Sequence, residues 1–483
     1  MKKPKAHFVG ISGKGMSAVA KLLQDQGWQI SGSDAEFYPP VSDYLRQHNL
    51  PLTEGYRENN IPKDVDIVVI GKNAKLVPET NEEVRAAFVK GVPVRSFPEV
   101  LQGLLGMTEN IVVSGSYGKS TVSALITWCL LHANKDPSYF IGEIVRGLND
   151  HARIGKGNLF VLEGDEYPSA NWDSTSKFLY YRPTDIILTA AVHDHVNVFP
   201  TQRDFDKPFE QLTSLLPATG LLVACGDEAN ARRIALRSSS SVLLYGLDAQ
   251  DLNWSATGIR YGQTTTFTLT RKSMPVIELS TSLLGRHNVQ NIVGAAALLL
   301  EKELISGAAL QAAIGSFAGV KRRMELLTTN SGVPVYEGFG SSYEKAKSAL
   351  DAIRLHFPDR RIVTVFEPHT FSWRSRDMVH WYDNVFDGSG LVLIYHPATQ
   401  GAEPGKQLSQ QEIVRRVQLT GIDARAIGTT EQMLATLEHE LLPDDVMLIL
   451  TSGGFDGMIS KISAMVMDKF NLRGTVQLAA MQG

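Results

Sequence analysis

Short runs of aliphatic and β-branched residues alternate with helix-spaced apolar positions along the whole chain. HFVGI (7–11), WQISGSD (28–34), DIVVIG (66–71) and VPVRSF (92–97) read as strands, and residues 14–26 have helical spacing. The same texture returns in NLFVLEGDE (158–166), TDIILTAA (184–191), GLLVACGD (220–227) and SVLLYGLD (241–248). It returns again in VPVYEGFG (333–340), RIVTVFEP (361–368), GLVLIYHP (390–397) and DVMLILTSGG (445–454). Strands that alternate with helices predict parallel sheets covered on both faces. Residues 264–281 differ: they alternate apolar and polar in the manner of antiparallel edge strands, ahead of a helix near 289–303. Breaks at GLLGMT (103–108) and near Leu326 divide the chain into blocks 1–107, 108–325 and 326–483. The expected class is α/β, three consecutive domains, each a mainly parallel sheet flanked by helices.

The middle block opens on the most specific chemistry. IVVSGSYGKST (111–121) places β-branched residues directly before Gly115, Ser116, Gly118, Lys119, Ser120 and Thr121, with an apolar helical pattern after them. This reads as strand, phosphate loop, helix. The glycines let backbone N–H groups curl around phosphate oxygens, Lys119 brings a point charge to the β and γ phosphates, and the Ser120 hydroxyl suits Mg²⁺. Only Ser116 and Tyr117 separate the two glycines, so the spacing is shorter than that of the common G-x-x-x-x-G-K-[ST] loop. A purely structural glycine turn is the competing reading.

In the first block, Gly10, Gly13, Gly15, Met16 and Ser17 lie between a strand and a helix in the order G-x-x-G-x-G-M-S. That arrangement points helix N-terminal N–H groups at an anion, commonly a diphosphate. With Asp34 about twenty residues on, a dinucleotide cofactor and another diphosphate ligand both fit; the G-x-x-G-x-G spacing departs from the dinucleotide fingerprint. In the second block, Glu163 and Glu166 close one strand and Asp194 and His195 follow the next, at the edge that carries the phosphate loop. There Glu163, Ser120 and His195 are candidates to hold Mg²⁺, against a solvated acidic turn. Lys177 and Lys207 read as solvated lysines, and His287 with Asn288 as an N-cap more readily than as partners of a purine.

Composition narrows the partners. With 43% hydrophobic and 20% charged residues the 483-residue chain is ordinary globular material, and a net charge of −4 with pI near 6.3 speaks against nucleic-acid or membrane-surface binding. Cys129 and Cys225 lie in apolar runs, as buried thiols in a reducing compartment do. Residues 1–9 carry lysines without an apolar stretch behind them, and no window has the roughly 18 apolar residues of a membrane span. A cytoplasmic protein is expected.

Taken in order, the motifs resemble those of the Mur ligase family, ATP-dependent amide-forming enzymes of bacterial cell-wall precursor synthesis, over essentially the full length. The matching stretches are HFVGISGKGMS (7–17), SGSDAEFYPPVSDYL (31–45), SGSYGKST (114–121), EGDEYPSANWDSTSKF (163–178), Asp194-His195, GRHNVQN (285–291), KRRME (321–325), EPH (367–369) and TSGGFDGM (451–458). The Y-P-P, W-D-S-T-S-K-F and S-G-G-F-D-G-M segments resemble the branch that attaches L-Ala-γ-D-Glu-meso-diaminopimelate to UDP-N-acetylmuramate, with the L-alanine-adding branch a near relative. The resemblance implies a Rossmann-like UDP-binding first domain, with Gly13, Gly15, Met16 and Ser17 on the diphosphate and Ser33 and Asp34 toward the uridine. It implies a central ATPase domain with Lys119 on the phosphates, Ser120 and Glu163 on one Mg²⁺ and His195 on another. His287 and Asn288 would meet the adenine, Arg323 the γ-phosphate, and Lys207 would occupy the place of a lysine that some relatives carbamylate. A Rossmann-like third domain would close on ATP and admit the amino acid or peptide. The implied partners are those small molecules, ATP and Mg²⁺, in a monomer or weak homodimer.

The chain also departs from the family pattern. Where relatives carry D-[YF]-[GA]-H-[HN]-P, it has Gly338-Phe339-Gly340-Ser341-Ser342-Tyr343, so the Asp and His are absent, with Glu337 one residue away. The family's T-N-x-E-x-D-H reads Thr189-Ala190-Ala191-Val192-His193-Asp194-His195. A homologue that binds nucleotide without turnover is therefore the alternative from another functional class.

Overall fold

The computed structural model describes residues 3–38, 41–193, 198–397 and 407–472. It contains three sheets, and the chain forms two compact units: one runs to Ala318 without 260–265 and 282–288, and those two segments belong with the other, from Gly319 onward.

In the first unit, a five-stranded sheet has the order Leu52–Glu54, Gln29–Asp34, Lys5–Val9, Ile67–Ile70, Val94–Arg95, with every pair parallel. Reversal of strand order at Lys5–Val9 leaves a crevice at its C-terminal end, where the helix Lys14–Asp25 begins. That helix buries Met16, Ala18, Val19, Leu22 and Leu23. Side chains cap its neighbours: Asn81 Oδ1 accepts from Val84 N at 3.0 Å, and Ser96 with Glu99 forms a capping box for the helix Phe97–Leu104.

One buried carboxylate ties this sheet together. Glu83 is fully buried; it takes bonds from Ser33 Oγ (2.6 Å), Arg57 N (2.9 Å) and Asn60 Nδ2 (2.7 Å), and His7 Nε2 lies 2.7 Å away. Glu83→Ala would leave these groups without their acceptor. A loss of about 3–5 kcal/mol is expected, read from the shift of the urea unfolding midpoint; an unshifted midpoint would show that the network contributes nothing.

The ten-stranded sheet holds the strand Glu109–Ser114 between Leu159–Gly164 and Asp185–Leu188, both parallel to it. Ser114 is level with Gly164 and with Leu188, so the residues that follow all three strands emerge side by side. The helix Lys119–His132 is buried along most of its length, from Ser120 to Leu130, which explains why its sequence is apolar on every face. The edge region expected over 264–281 is larger than the alternation indicated. Trp254–Arg260 adds a strand ahead of Thr265–Arg271 and Met274–Thr281, its pattern broken by Gly258 at φ 61°. Lys272 and Ser273, both at positive φ, form the two-residue hairpin turn between the last two strands. Cys129 and Cys225 are buried free thiols, pushed by burial up to about 12 and about 11.

In the second unit the order is Arg323–Leu326, Val335–Phe339, Val446–Thr451, Ile362–Phe366, Ser389–Tyr395, Asp423–Ile427, parallel except for the first pair. This sheet therefore opens at Arg323, three residues before the expected boundary at 326. No described helix is long and apolar enough to cross a membrane.

Candidate active site

The phosphate loop is shaped by contacts that a side chain would block. Gly115 has φ 142°, and a Cβ there would stand 2.2 Å from Thr189 Oγ1 and 2.7 Å from Ala190 N; at Gly118, φ 85°, it would meet Asn291 Oδ1 at 2.9 Å. Thr189 Oγ1 bonds Tyr117 O, Ser116 N donates to Ala190 O at 3.1 Å, and Ser116 Oγ accepts from Val192 N at 3.0 Å. The adjoining strand end thus pins the loop. The Ser116 N–H is spent on Ala190 and shapes the loop, while its half-exposed hydroxyl keeps its own hydrogen to donate.

No side chain caps the helix that starts at Lys119. The Lys119 ammonium bonds Gly115 O and lies 3.0 Å from Glu166 Oε2, a carboxylate only 1% exposed. Burial alone would lower the pKa of Lys119, but the Glu166 and Asp165 carboxylates outweigh it and hold the ammonium above the ordinary lysine value. A phosphate arriving here would share or take this ammonium from Glu166. Next to it, Ser120 Oγ donates to Glu163 Oε1 at 2.8 Å, and Gly142 N donates to Glu163 Oε2 at 2.7 Å. Two hard oxygen donors stand side by side. That suits Mg²⁺, which takes one or two protein oxygens and fills the rest of its octahedron with phosphates and water. No group of three or more His, Cys, Asp or Glu among the described residues is arranged to hold a metal by itself. Asp194 and His195 lie outside the described residues. Thr121 follows Ser120 in the helix, half-buried.

A cavity of about 620 Å³ joins this loop to the first domain: Gly13, Gly15, Met16 and Asp34 line it together with Lys119 and Glu163. Gly13 precedes the helix Lys14–Asp25, whose N-terminus also has no side-chain cap. Asp34 frames the turn, accepting from Ser12 N at 2.8 Å and from Tyr56 OH at 2.9 Å. Two expected ligand contacts are corrected. Ser33 is fully buried with its hydroxyl on Glu83, and Ser17 is fully buried with its hydroxyl on Lys14 O and its N–H on Gly13 O. Both support the turn from behind.

Lys177 overturns its reading as a solvated lysine. Its side chain is 14% exposed, lines the same cavity, and its ammonium lies 2.5 Å from Asp165 Oδ2. Lys207 shows the opposite. Its side chain is 57% exposed and paired with Asp204 three residues earlier at 2.8 Å, the situation of a solvated helix lysine that its residues suggest. Lys207→Gln is accordingly expected to leave turnover within about twofold; a drop of an order of magnitude in steady-state rate would restore the catalytic assignment. Lys72, Tyr56, Phe97 and Tyr181 also line the cavity without any motif to signal them, and Asp165 lines it from within the E-G-D-E-Y stretch.

The second unit carries the remaining candidates. His287 and Asn288 fall in the first turn of the helix Arg286–Glu301, so neither is the expected N-cap. Asn288 Nδ2 donates to Leu284 O at 2.7 Å, and exposed His287 lies 3.5 Å from Ser348 Oγ. Arg323 is exposed at the start of its strand. Its neighbour Arg322 is the arginine that binds Glu337 (2.7 Å) and Gly453 O (2.8 Å). Burial raises the pKa of Glu337, with Arg322 opposing. Glu337, itself buried, is thus held in an ion pair with half-exposed Arg322.

Known proteins resemble the chain domain by domain. Residues 5–107 match the family described as Mur ligase family, catalytic domain; 113–299 match the Mur ligase middle domain; and 322–453 match the Mur ligase, glutamate ligase domain. The UDP-N-acetylmuramate--L-alanine ligase of Geobacter sp. (strain M21) is 30% identical over 449 residues, covering 92% of this chain and 94% of that one. A UDP-N-acetylmuramate-alanine ligase from Thermotoga maritima shares the fold, with TM-score 0.79 at 20% identity over 96% of this chain and 99% of that one. The UDP-N-acetylmuramate:L-alanyl-gamma-D-glutamyl-meso-diaminopimelate ligase from Neisseria meningitides has TM-score 0.60 at 26% identity, covering 66% of this chain and 100% of that one. With its domains matched in order and a relative aligned over nearly its full length, the chain belongs to the Mur ligase family, ATP-dependent ligases that form C–N bonds.

Proposed function

We propose that the chain joins the carboxylate of UDP-N-acetylmuramate to the amine of L-Ala-γ-D-Glu-meso-diaminopimelate, with ATP and Mg²⁺, through an acyl phosphate. The observation that carries this reading is a cavity lined both by the glycine turn of the first domain and by Lys119 and Glu163. An uncapped helix N-terminus at one end suits a diphosphate; a paired lysine and carboxylate at the other suit a triphosphate.

In the proposed reaction the sugar-linked carboxylate attacks the γ-phosphorus of ATP and ADP leaves. The amine then adds to the acyl carbon, and the tetrahedral intermediate expels phosphate. Lys119, released from Glu166, would follow the charge that builds on the phosphoryl oxygens, and Arg323 would reach the same charge. Ser120 and Glu163 would hold Mg²⁺, which supplies positive charge to those oxygens when bound, and His195 would hold a second ion. Gly115, Gly118 and Thr121 would line the nucleotide, with His287 and Asn288 at its base. Exclusion of water would keep the acyl phosphate from hydrolysis.

The Y-P-P and W-D-S-T-S-K-F segments support the tripeptide as amine. L-Alanine is the second reading, favoured by the Geobacter relative, a UDP-N-acetylmuramate--L-alanine ligase. Amine-dependent phosphate release, measured with UDP-N-acetylmuramate and each amine in turn, decides between them. Release with the tripeptide alone is expected; release with L-alanine alone would select the second reading, and none with either would overturn both.

A further inference from the structure

Two lysines far apart in sequence, Lys72 in a loop and Lys177 at the start of a short 3-10 helix, frame the bare helix N-terminus of the first domain. Lys177 Nζ lies 5.4 Å from the centroid of the Phe97 ring. A Cβ on Gly15 would sit 2.8 Å from Phe97 Cζ, so that ring rests on the first turn of the helix. Lys72 follows Gly71, whose own Cβ position is 3.4 Å from Val9 O and 3.5 Å from Met16 Cγ, beside the same turn. Both ammonium groups approach one ring, that of Tyr167, at 5.7 Å from Lys177 Nζ and 5.9 Å from Lys72 Nζ to its centroid. Both lysines line the cavity.

The charges at this place are unbalanced. Asp165 neutralises Lys177 at 2.5 Å, whereas Lys72 forms no ion pair with a described residue. Partial burial and then the like charge of Lys177 lower the pKa of Lys72, with Asp165 opposing. A ligand that carries more than one negative charge would relieve that repulsion and meet the helix N–H groups as well.

Resting on the ligase reading above, we propose that Lys72 and Lys177 form a two-cation clamp on the diphosphate of the sugar nucleotide. The single charge of the sugar-linked carboxylate belongs instead near Lys119 and Glu163, where the γ-phosphate must stand. The clamp thereby fixes which end of the substrate points at ATP.

Titration calorimetry of the full chain with UDP, and competition by uridine, test the clamp in Lys72→Met, Lys177→Met and Lys177→Arg. Lys72→Met leaves the Asp165–Lys177 pair intact and replaces an exposed side chain, so folding is preserved. Each methionine variant is expected to weaken UDP binding about tenfold or more, the worth of a charged hydrogen bond, with uridine affinity unchanged and Lys177→Arg near wild type. In steady state, KM for UDP-N-acetylmuramate should rise by a similar factor while kcat and KM for ATP stay put. Unchanged UDP affinity in both methionine variants would overturn the clamp, as would an equal loss for uridine. It would also fall if UDP binding survived but preference for UDP-N-acetylmuramate over UDP-N-acetylglucosamine vanished, because the lysines would then serve the carboxylate. A wild-type chain that binds neither UDP nor UDP-N-acetylmuramate would refute the ligase reading itself, a result distinct from failure of the clamp alone.

Discussion

Lys119→Ala is expected to lower ATP-dependent phosphate release by roughly a thousandfold, the upper end of what one charged donor to a transition state contributes. The same change has a structural side: it strands Glu166, 1% exposed, without its ammonium. Breaking such a pair costs about 3–5 kcal/mol, so the single variant is expected to melt earlier as well. Lys119→Ala combined with Glu166→Gln separates the two effects, since a neutral amide needs no cation. The double variant should regain stability in a thermal melt and remain inactive in the phosphate-release assay. Near-normal ligation by Lys119→Ala would remove the nucleotide from this loop altogether.

The second large effect is expected at Glu163. Glu163→Gln keeps the side-chain volume but turns one of the two acceptor oxygens, now facing Ser120 Oγ and Gly142 N, into a donor. It also removes the negative charge beside Ser120 proposed to face Mg²⁺. Turnover should fall by about 10²–10³, and the Mg²⁺ concentration for half-maximal rate should rise. Glu163→Asp, which keeps the charge on a shorter arm, should lie between the two. An unaltered Mg²⁺ dependence in Glu163→Gln would show that the carboxylate orders the loop and does not meet the ion.

How far these sites can be read from the chain depends on how local their causes are. The phosphate loop is legible because its signal is contiguous: β-branched strand, glycines at φ 142° and 85°, then a lysine and a serine at the helix start. The first glycine turn is legible for the same reason. Lys177 is not. Its fate is set by Asp165, twelve residues earlier, and by Phe97, eighty residues earlier, and nothing in W-D-S-T-S-K-F distinguishes a lysine turned into a cavity from one in solvent. Ser33 errs in the other direction: it looks like a ligand contact beside Asp34, yet Glu83, fifty residues away, takes its hydroxyl into the core. Lys207 is read from its own residues as a solvated lysine, and its helix does present it to solvent beside Asp204.

The pattern of apolar runs and glycines by itself determined the α/β class, most strands of the parallel sheets and the two uncapped helix starts, because backbone geometry and hydrophobic period act over a few residues; it did not show the short strands Leu52–Glu54 and Ser138–Phe140, nor Trp254–Arg260 and Asp423–Ile427. Only the tertiary structure decided which charges meet. Strand order sets Glu163 and Glu166 beside Lys119 and brings Lys72, Phe97 and Lys177 around one turn. Ion pairing and burial depend on distance in space, and residues remote in the chain become neighbours only when the sheets are assembled.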